Sequence, residues 1–282
     1  MNRVSHIFRI AYFQMGKLTR NPRLYMIVIC NFIFLTTLMS PLRNFLRMYQ
    51  LKATPFLFCF LFTHASVIFC FLVGIILLFS NAPFFDHSQM FLVIRTGKTR
   101  WALGQMIYML LGSILYFLLL YGMSILFLLP YISFRNEWGS VWNTLARTDL
   151  GVQFGVSLTV PANVLNHFEP VELLSWIFLM GILNAMLLGL LLFFCNLFLG
   201  RMAGITAAVL FLLTPFRLSF MPDFLHYLAA PAWMDPTYLL YNPTWRGPDA
   251  RQQILILCGM LLLLAMGCIW GIRHKDLPEV EE

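Results

Sequence analysis

Two long uncharged runs flank a short polar stretch, and this contrast organises the chain. No Asp, Glu, Lys or Arg occurs from Ala53 to Phe85, nor from Trp101 to Phe134. Such runs are typical of membrane spans, because about 20 apolar residues cross the hydrocarbon core as a helix. The polar stretch between them, residues 81–104, carries three basic residues and one acid. Because basic residues beside spans favour the cytoplasmic side, this stretch is predicted to be a cytoplasmic loop.

The hydrophobic pattern predicts an all-α integral membrane protein with six transmembrane helices. The domain is a single one over residues 1–282, with an N-terminal interfacial amphipathic helix and a re-entrant external hairpin before the last span. The expected spans are residues 24–40, 55–80, 101–131, 173–199, 202–221 and 252–272. The first should end at Pro41, because proline cannot continue the helical hydrogen bonding.

Two hydrophilic segments between spans are predicted to be external. Residues 132–172 are too many for a structureless loop, so short helices are expected there. Residues 222–251 combine prolines with Trp and Tyr side chains that prefer the headgroup level. They predict a half-buried hairpin of short broken helices.

The first 23 residues contain five basic residues and no acid. Their apolar side chains recur at three- and four-residue spacing and comprise Val4, Ile7, Phe8, Ala11, Tyr12, Met15 and Leu18. This pattern predicts an amphipathic helix in the membrane surface, with Arg9, Lys17 and Arg20 towards anionic headgroups. A signal peptide is the weaker interpretation, because the charges are spread throughout and no A-x-A cleavage site follows.

Composition and charge support the membrane assignment. Of the 282 residues, 60% are hydrophobic and 11% are charged, against about 25% charged in ordinary soluble domains. The net charge of +7 is scattered beside the spans, which argues against nucleic-acid binding. With both termini cytoplasmic, eleven of the nineteen Lys and Arg residues lie inside, in agreement with the positive-inside rule.

Recognisable catalytic and energy-supplying motifs are missing from the sequence. It contains no HExxH, GxSxG or GxxxxGK[ST] motif, and no expected span contains Asp, Glu or Lys. All six cysteines fall in apolar runs, so packing is favoured over a disulfide framework or a metal site. If the chain transports, a partner must supply the energy.

Two polar residues within spans are candidate pathway or packing residues. His64 in the second span is interpreted either as a pathway residue or as a helix–helix hydrogen-bonding residue. Asn184 belongs to a stripe with Gly181, Ala185 and Gly189 that suits close helix contact.

In architecture, the chain resembles permeases of the type-two ABC exporter family over nearly its whole length. The resemblance rests on the basic N-terminal helix with RNPR at 20–23, the tight turn between the fourth and fifth spans, and the Pro/aromatic segment before the last. The stretch RTGKTRWALGQMIY at 95–108 is similar to small permeases from Gram-positive bacteria.

The resemblance implies two permease chains around one pathway, each coupled to a separate ABC ATPase subunit that binds ATP and Mg. This chain would bind no cofactor itself and would lie in the bacterial cytoplasmic membrane as a multi-pass protein among membrane lipids. Residues 81–100 would form a coupling loop with a short helix that docks on the ATPase. The implied loop residues are Asp86, His87, Phe91, Leu92, Arg95, Lys98 and Arg100.

Other interpretations remain open at the level of sequence. The 81–100 loop could be a solvated loop with ordinary positive-inside charge. The chain could also be a non-transport membrane protein, such as an immunity or sensor subunit that binds a peptide or partner through its external segments. An intramembrane enzyme is disfavoured because catalytic residues are missing. A hydrophobic or amphiphilic substrate (peptide, lipid or drug) suits a pathway lined by Phe, Leu and Met.

Overall fold

The computed structural model describes residues 3–84, 87–218, 222–240, 245 and 247–274. These residues form the α-helices α1 (Arg3–Leu18), α2 (Pro22–Met48), α3 (Leu57–Leu61), α4 (Ala65–Phe79), α5 (His87–Thr96), α6 (Lys98–Leu128), α7 (Gly139–Arg147), α8 (Leu150–Gln153), α9 (Ala162–His167), α10 (Pro170–Phe198), α11 (Arg201–Leu212), α12 (Thr214–Arg217) and α13 (Ala250–His274). Short 3-10 turns cover Leu129–Tyr131, Asp223–Tyr227, Ala230–Met234 and Pro236–Leu239. The part of the chain described here contains no β-strand, only an isolated bridge between Ala53 and Ile132.

Four helices in the described part of the chain are long and apolar enough to cross a membrane. They are α2, α6 with its terminal 3-10 turn, α10 and α13. The expected spans 101–131, 173–199 and 252–272 match α6, α10 and α13 closely. The central helix is α10, which packs against α4, α6, α11 and α13.

The predicted end of the first span at Pro41 is wrong, because α2 continues to Met48. Pro41 has no N–H for the carbonyl of Thr37. The hydroxyl of Ser40 donates to that carbonyl at 3.0 Å instead, so the proline leaves no unpaired acceptor.

The second expected span, 55–80, is not a single helix. It divides into α3 and the 15-residue α4. His64, at the start of α4, has an extended backbone with φ −112° and ψ 124°. The helix is therefore interrupted between Leu61 and Ala65, where the sequence contains no glycine or proline that would predict a break.

The fifth expected span, 202–221, is also interrupted. Helix α11 has 12 residues, and α12 follows it after Leu213. Pro215 cannot donate to the carbonyl of Phe211, and the Thr214 hydroxyl takes that place at 2.9 Å. Residues 219–221 lie outside the described residues.

Small residues on α10 let neighbouring helices approach closely, as predicted. The ring of Phe117 on α6 occupies the space where a side chain on Gly181 would lie. A Cβ at Gly189 would lie 3.1 Å from the ring of Phe79 and 3.3 Å from the sulfur of Met109. These contacts confirm the predicted close helix contact at Gly181 and Gly189.

A buried polar cluster joins α2, α4 and α6. The Asn31 side-chain amide donates to the Tyr116 hydroxyl at 3.0 Å, and that hydroxyl donates to the Phe71 carbonyl at 2.7 Å. Such pairing satisfies polar groups that would be costly to leave unmade in an apolar interior.

One end of the bundle is built from aromatic residues, and we call residues 132–168 and 222–240 the aromatic end. Helices α7, α8 and α9 are the short helices expected in 132–172. The indole N–H of Trp142 donates to the Thr54 hydroxyl at 2.9 Å, and that of Trp138 donates to the Phe168 carbonyl at 2.9 Å. In 222–240, Trp233 and Met234 are fully buried, and their turn packs on α4, α10 and α13.

Candidate docking surface on helices α1 and α5

Helix α1 runs alongside the first half of α6, in the same direction. A Cβ at Gly104 would lie 2.7 Å from Ile10, and one at Gly112 would lie 3.8 Å from Leu18. Both pairs are eight residues apart along their helices, so α1 packs against about two turns of α6. The predicted N-terminal helix is therefore present, and one face of it packs on protein.

The buried face of α1 differs in part from the predicted one. Ala11 and Leu18, from the predicted apolar face, are buried against protein rather than lipid, together with Ile10 and Gln14. Phe8 and Tyr12, which the pattern assigned to the same face, are exposed. The helix has apolar residues on more than one side, so periodicity alone could not choose the face that contacts α6.

Helix α5 lies within the predicted coupling loop, as the expected short helix, and ends at Thr96. Gly97 has a positive φ of 88°, and its N–H donates to the Val93 carbonyl at 2.8 Å, which is a typical glycine helix end. Helix α6 begins at the next residue. Asp86 lies outside the described residues, and of His87 only the helical backbone is described.

The outer face of α5 carries two exposed apolar side chains. Phe91 is 76% exposed and Ile94 is 78% exposed, whereas Val93 is buried and Leu92 is half-buried against the core. Residues three apart on a helix share a face. Sequence reasoning found Phe91 but missed Ile94, although the i, i+3 spacing was visible.

A groove of about 770 Å³ separates α5 from α1. It brings together six residues that sequence reasoning had assigned to two segments: Arg9, Lys17 and Arg20 from α1 and its end, and Phe91, Leu92 and Arg95 from α5. Tyr12 and Phe13 also line it, and the Lys17 ammonium lies 5.0 Å from the centre of the Phe13 ring. We call this groove and the outer face of α5 the docking surface.

Lys98 and Arg100 lie just outside the groove, at the start of α6. An Arg100 guanidinium nitrogen lies 3.5 Å from the carbonyl of Thr96, the last residue of α5. A cation at a helix C-terminus complements the negative end of the helix dipole. These two residues therefore lie at the junction between α5 and α6.

The segment that leads to α5 is attached to α10 by one side chain. The amide of Asn196 donates to the carbonyl of Ser80 at 3.1 Å and also to that of Ala82. Movement of the α4–α5 connection is thereby linked to the central helix. Sequence reasoning did not single out Asn196.

His64 and Asn184 do not line the docking surface. The Asn184 amide donates to the Met180 carbonyl of its own helix at 3.0 Å, so its contact is within α10. His64 is half-buried at the break before α4, and its Nε2 is buried without a hydrogen bond among the described residues. The helix–helix hydrogen bond considered for His64 is not seen at that nitrogen.

The aromatic end contains a partly buried carboxylate that sequence reasoning also missed. Asp235 accepts hydrogen bonds from the N–H of Thr237 at 2.9 Å and from its hydroxyl at 2.7 Å. Burial raises the pKa of Asp235 to about 6, although these hydrogen bonds oppose the rise. Within the described residues, no group of three or more His, Cys, Asp or Glu side chains could hold a metal ion.

The long apolar helices and their packing define the class of protein as an α-helical membrane protein. No protein-family model matches the chain, and comparisons with curated proteins and with solved structures also find no match.

Proposed function

We propose that this chain is the membrane subunit of an ATP-driven ABC exporter and that a separate ATPase subunit binds its docking surface. The observation that carries the proposal is the exposed pair Phe91 and Ile94 on a short helix that joins two packed helices. Exposed apolar side chains grouped on one helix face are typical of interaction sites.

The charges around the pair support a partner of opposite sign. Arg9, Lys17, Arg20 and Arg95 line the groove, and no Asp or Glu is among the described residues that line it. An ATPase surface with an apolar pocket and acidic residues at its edge would complement the groove in shape and charge. The exposed apolar pair would then enter that pocket.

The position of α5 supports a role in force transmission. Its C-terminal end leads directly through Gly97 into α6, and Asn196 ties the segment before it to α10. A push on α5 would reach two long helices without passing through a long flexible linker. ATP and Mg would be bound by the partner.

The proposal extends to the assembly and the membrane. A second permease chain, identical or homologous, would complete a pathway for a hydrophobic or amphiphilic substrate, with lipids around it. The chain would lie in the bacterial cytoplasmic membrane with six spans and both termini inside. In this arrangement α4 and α11 are short spans, and residues 222–251 form the re-entrant hairpin, whose described turn Ala230–Met234 packs on α4 and α12.

The orientation is tested by cysteine labelling in intact cells that express a cysteine-free variant. Asp149→Cys, at the aromatic end, should react with an impermeant maleimide, whereas Thr19→Cys, beside the docking surface, should react only after the membrane is opened. Labelling in the opposite pattern would invert the topology and place the docking surface outside.

Co-purification tests the docking surface. The tagged chain is isolated from its native membranes in mild detergent, and ATPase subunits with a phosphate loop are quantified by mass spectrometry. Ile94→Asp should reduce recovery by more than tenfold, because a hot-spot side chain contributes about 2 kcal/mol or more. Phe91→Ala should act similarly. Lys98→Ala should cost less, since Lys98 lies outside the groove and a surface charge contributes roughly 0–1 kcal/mol.

Val152→Asp is the matched control, because Val152 is 79% exposed but lies at the aromatic end. Its recovery of ATPase should equal that of the wild type. Leu92→Asp would be less informative, because Leu92 also packs against the core. Equal recovery with Ile94→Asp and Val152→Asp would remove the docking surface from the mechanism.

A second candidate function is binding of a peptide or partner at the aromatic end, as in an immunity or sensor subunit. An open pocket of about 640 Å³ between α7 and α9 favours it, with Glu137 and Glu169 among its lining residues. Two carboxylates suit a cationic ligand. The test is the double variant Glu137→Gln/Glu169→Gln. If it loses the response to the ligand but still co-purifies with the ATPase, both sites are supported. If it loses the response and no ATPase co-purifies even with the wild type, the sensor function is favoured.

A further inference from the structure

A second cavity lies on the other side of α1, where α1, α4, α6 and the α10–α11 turn meet. It has a volume of about 360 Å³, equal to roughly a dozen water molecules at about 30 Å³ each. Leu18, Leu78, Phe84 and Tyr108 contribute apolar surface to it. It is separate from the groove of the docking surface, although Lys17 lines both.

The charge of this cavity has one sign. Lys17 from α1 and Arg201 from the α10–α11 turn line it, and the described lining residues include no carboxylate. Arg201 is the first residue of α11, so the positive end of that helix dipole lies at the cavity edge. Two elements distant in sequence therefore place positive potential in one space.

Neutral polar side chains complete the lining. Gln14, Asn21 and Asn81 bring amide groups to the cavity. Gln14 is only 4% exposed, and its Nε2 is buried with no hydrogen-bond partner in the described part of the chain. A buried amide donor without a partner is costly, and a half-turn about the last side-chain bond can exchange the positions of its oxygen and nitrogen. A ligand oxygen in the cavity would satisfy it.

We propose that this cavity binds a phosphate group, held by Arg201 and by the amide of Gln14, with Lys17 at the border between this cavity and the docking surface. Arginine and lysine are the usual partners of phosphate oxygens, and a helix N-terminus adds backbone donors. The combination of cations with Leu78 and Phe84 fits an anionic phospholipid. The phosphate of the lipid would contact the cations, and its glycerol backbone would contact the apolar residues. Basic pockets between membrane helices on the cytoplasmic side bind such headgroups.

Ligand-dependent thermal unfolding of the full chain in zwitterionic detergent tests the site. Short-chain phosphatidylglycerol is titrated, with phosphatidylcholine and sodium chloride of equal ionic strength as references. Phosphatidylglycerol alone should raise the unfolding midpoint of the wild type. Arg201→Gln should weaken the apparent Kd at least fivefold, whereas Arg217→Gln, at an exposed arginine beyond the other end of α11, should not.

Gln14→Leu separates binding from folding. It removes the unpaired amide at similar volume, so the unliganded protein should be as stable as the wild type, while the response to phosphatidylglycerol should fall. A parallel titration with inorganic phosphate distinguishes the source of the ligand. The same variant pattern with phosphate and not with lipid would keep the site but assign it to a soluble anion.

Two results would overturn the proposal. One is a midpoint that responds to neither phosphatidylglycerol nor inorganic phosphate. The other is a response of equal size in the wild type, Arg201→Gln and Gln14→Leu, since that would show non-specific adsorption. The phosphate site does not depend on the ATPase proposal. Ile94→Asp should lose ATPase recovery without changing the titration with phosphatidylglycerol, so either proposal can fail while the other stands.

Discussion

The aromatic end and the docking surface differ in the burial of their most prominent apolar side chains. At the aromatic end, Trp142 and Trp233 are fully buried, and each indole N–H has an acceptor. At the docking surface, Phe91 and Ile94 are exposed, with Tyr12 beside them. The two indoles of the first region are covered and paired, whereas the apolar pair of the second is left exposed. Burial, rather than composition, therefore distinguishes these aromatic side chains of the fold from the pair on the docking surface.

The largest effect is expected for Trp142→Ala at the aromatic end. The change removes a fully buried indole, its hydrogen bond to Thr54 and its ring contact with Phe60. The free energy of unfolding should fall by about 3–5 kcal/mol, as for other buried Trp truncations. Denaturant titration in mixed micelles measures this change. Phe134→Ala, at an exposed residue of the same region, should change it by less than about 0.5 kcal/mol.

An intermediate effect is expected for Asp235→Asn, and it should depend on pH. The pKa of Asp235 is raised by burial to about 6 in the fold, against an ordinary value of 3.8 for an exposed Asp. Between these values the unfolded chain releases its proton first, so stability should fall as pH rises from about 4 to 6 and then level off. Partial exposure limits the total to about 1–3 kcal/mol.

Asparagine keeps the acceptor for Thr237 without the charge. Asp235→Asn should therefore raise the thermal unfolding midpoint at pH 7.5 and flatten its dependence between pH 4 and 6.5. Asp149→Asn, at an exposed carboxylate of the same region, should follow the wild-type curve. A wild-type midpoint that rises with pH across this range would contradict the prediction.

The smallest effect on stability is expected at the docking surface itself. Ile94→Ser should change the free energy of unfolding by less than about 0.5 kcal/mol, because an exposed side chain loses little on truncation. Val93→Ala, at the buried neighbour, should cost on the order of 1 kcal/mol or more. If Ile94→Ser were as damaging as Val93→Ala, the two regions would not differ in the way described, and Ile94 would be part of the core.

The sequence predicted those elements whose signal is long and uniform. The helices α6, α10 and α13 follow from apolar runs with turns or charges at both ends. Helix α2 continues through Pro41, beside which the Ser40 hydroxyl donates to the Thr37 carbonyl. A similar hydroxyl at Thr214 accompanies Pro215, yet α11 and α12 are separate helices. The hydroxyl beside each proline therefore does not by itself decide whether the helix continues.

The family resemblance implied that the N-terminal helix lies beside the coupling loop, but the residue pattern did not predict which side chains of the two segments meet. Arg9, Lys17 and Arg20 were assigned to a helix facing lipid, and Phe91 and Arg95 to a loop. Their meeting in one groove follows from the packing of α1 along α6, which has no signature in local periodicity. Asn196 and Asp235 were missed for a similar reason, since only the fold places them against the Ser80 carbonyl and in a buried turn.

The break at His64 has a consequence for the surrounding bilayer. The 15 residues of α4 and the 12 of α11 give helices of about 22 Å and 18 Å at 1.5 Å per residue, shorter than a hydrocarbon layer of about 30 Å. The adjacent α10, with 29 residues, exceeds that thickness. In the six-span arrangement proposed above, lipids beside α11 and the exposed Leu77 of α4 would shorten locally to meet this hydrophobic mismatch, at a modest cost for each ångström. A thinned strip of bilayer along these two helices would shorten the path of any amphiphile that moves from one leaflet to the other.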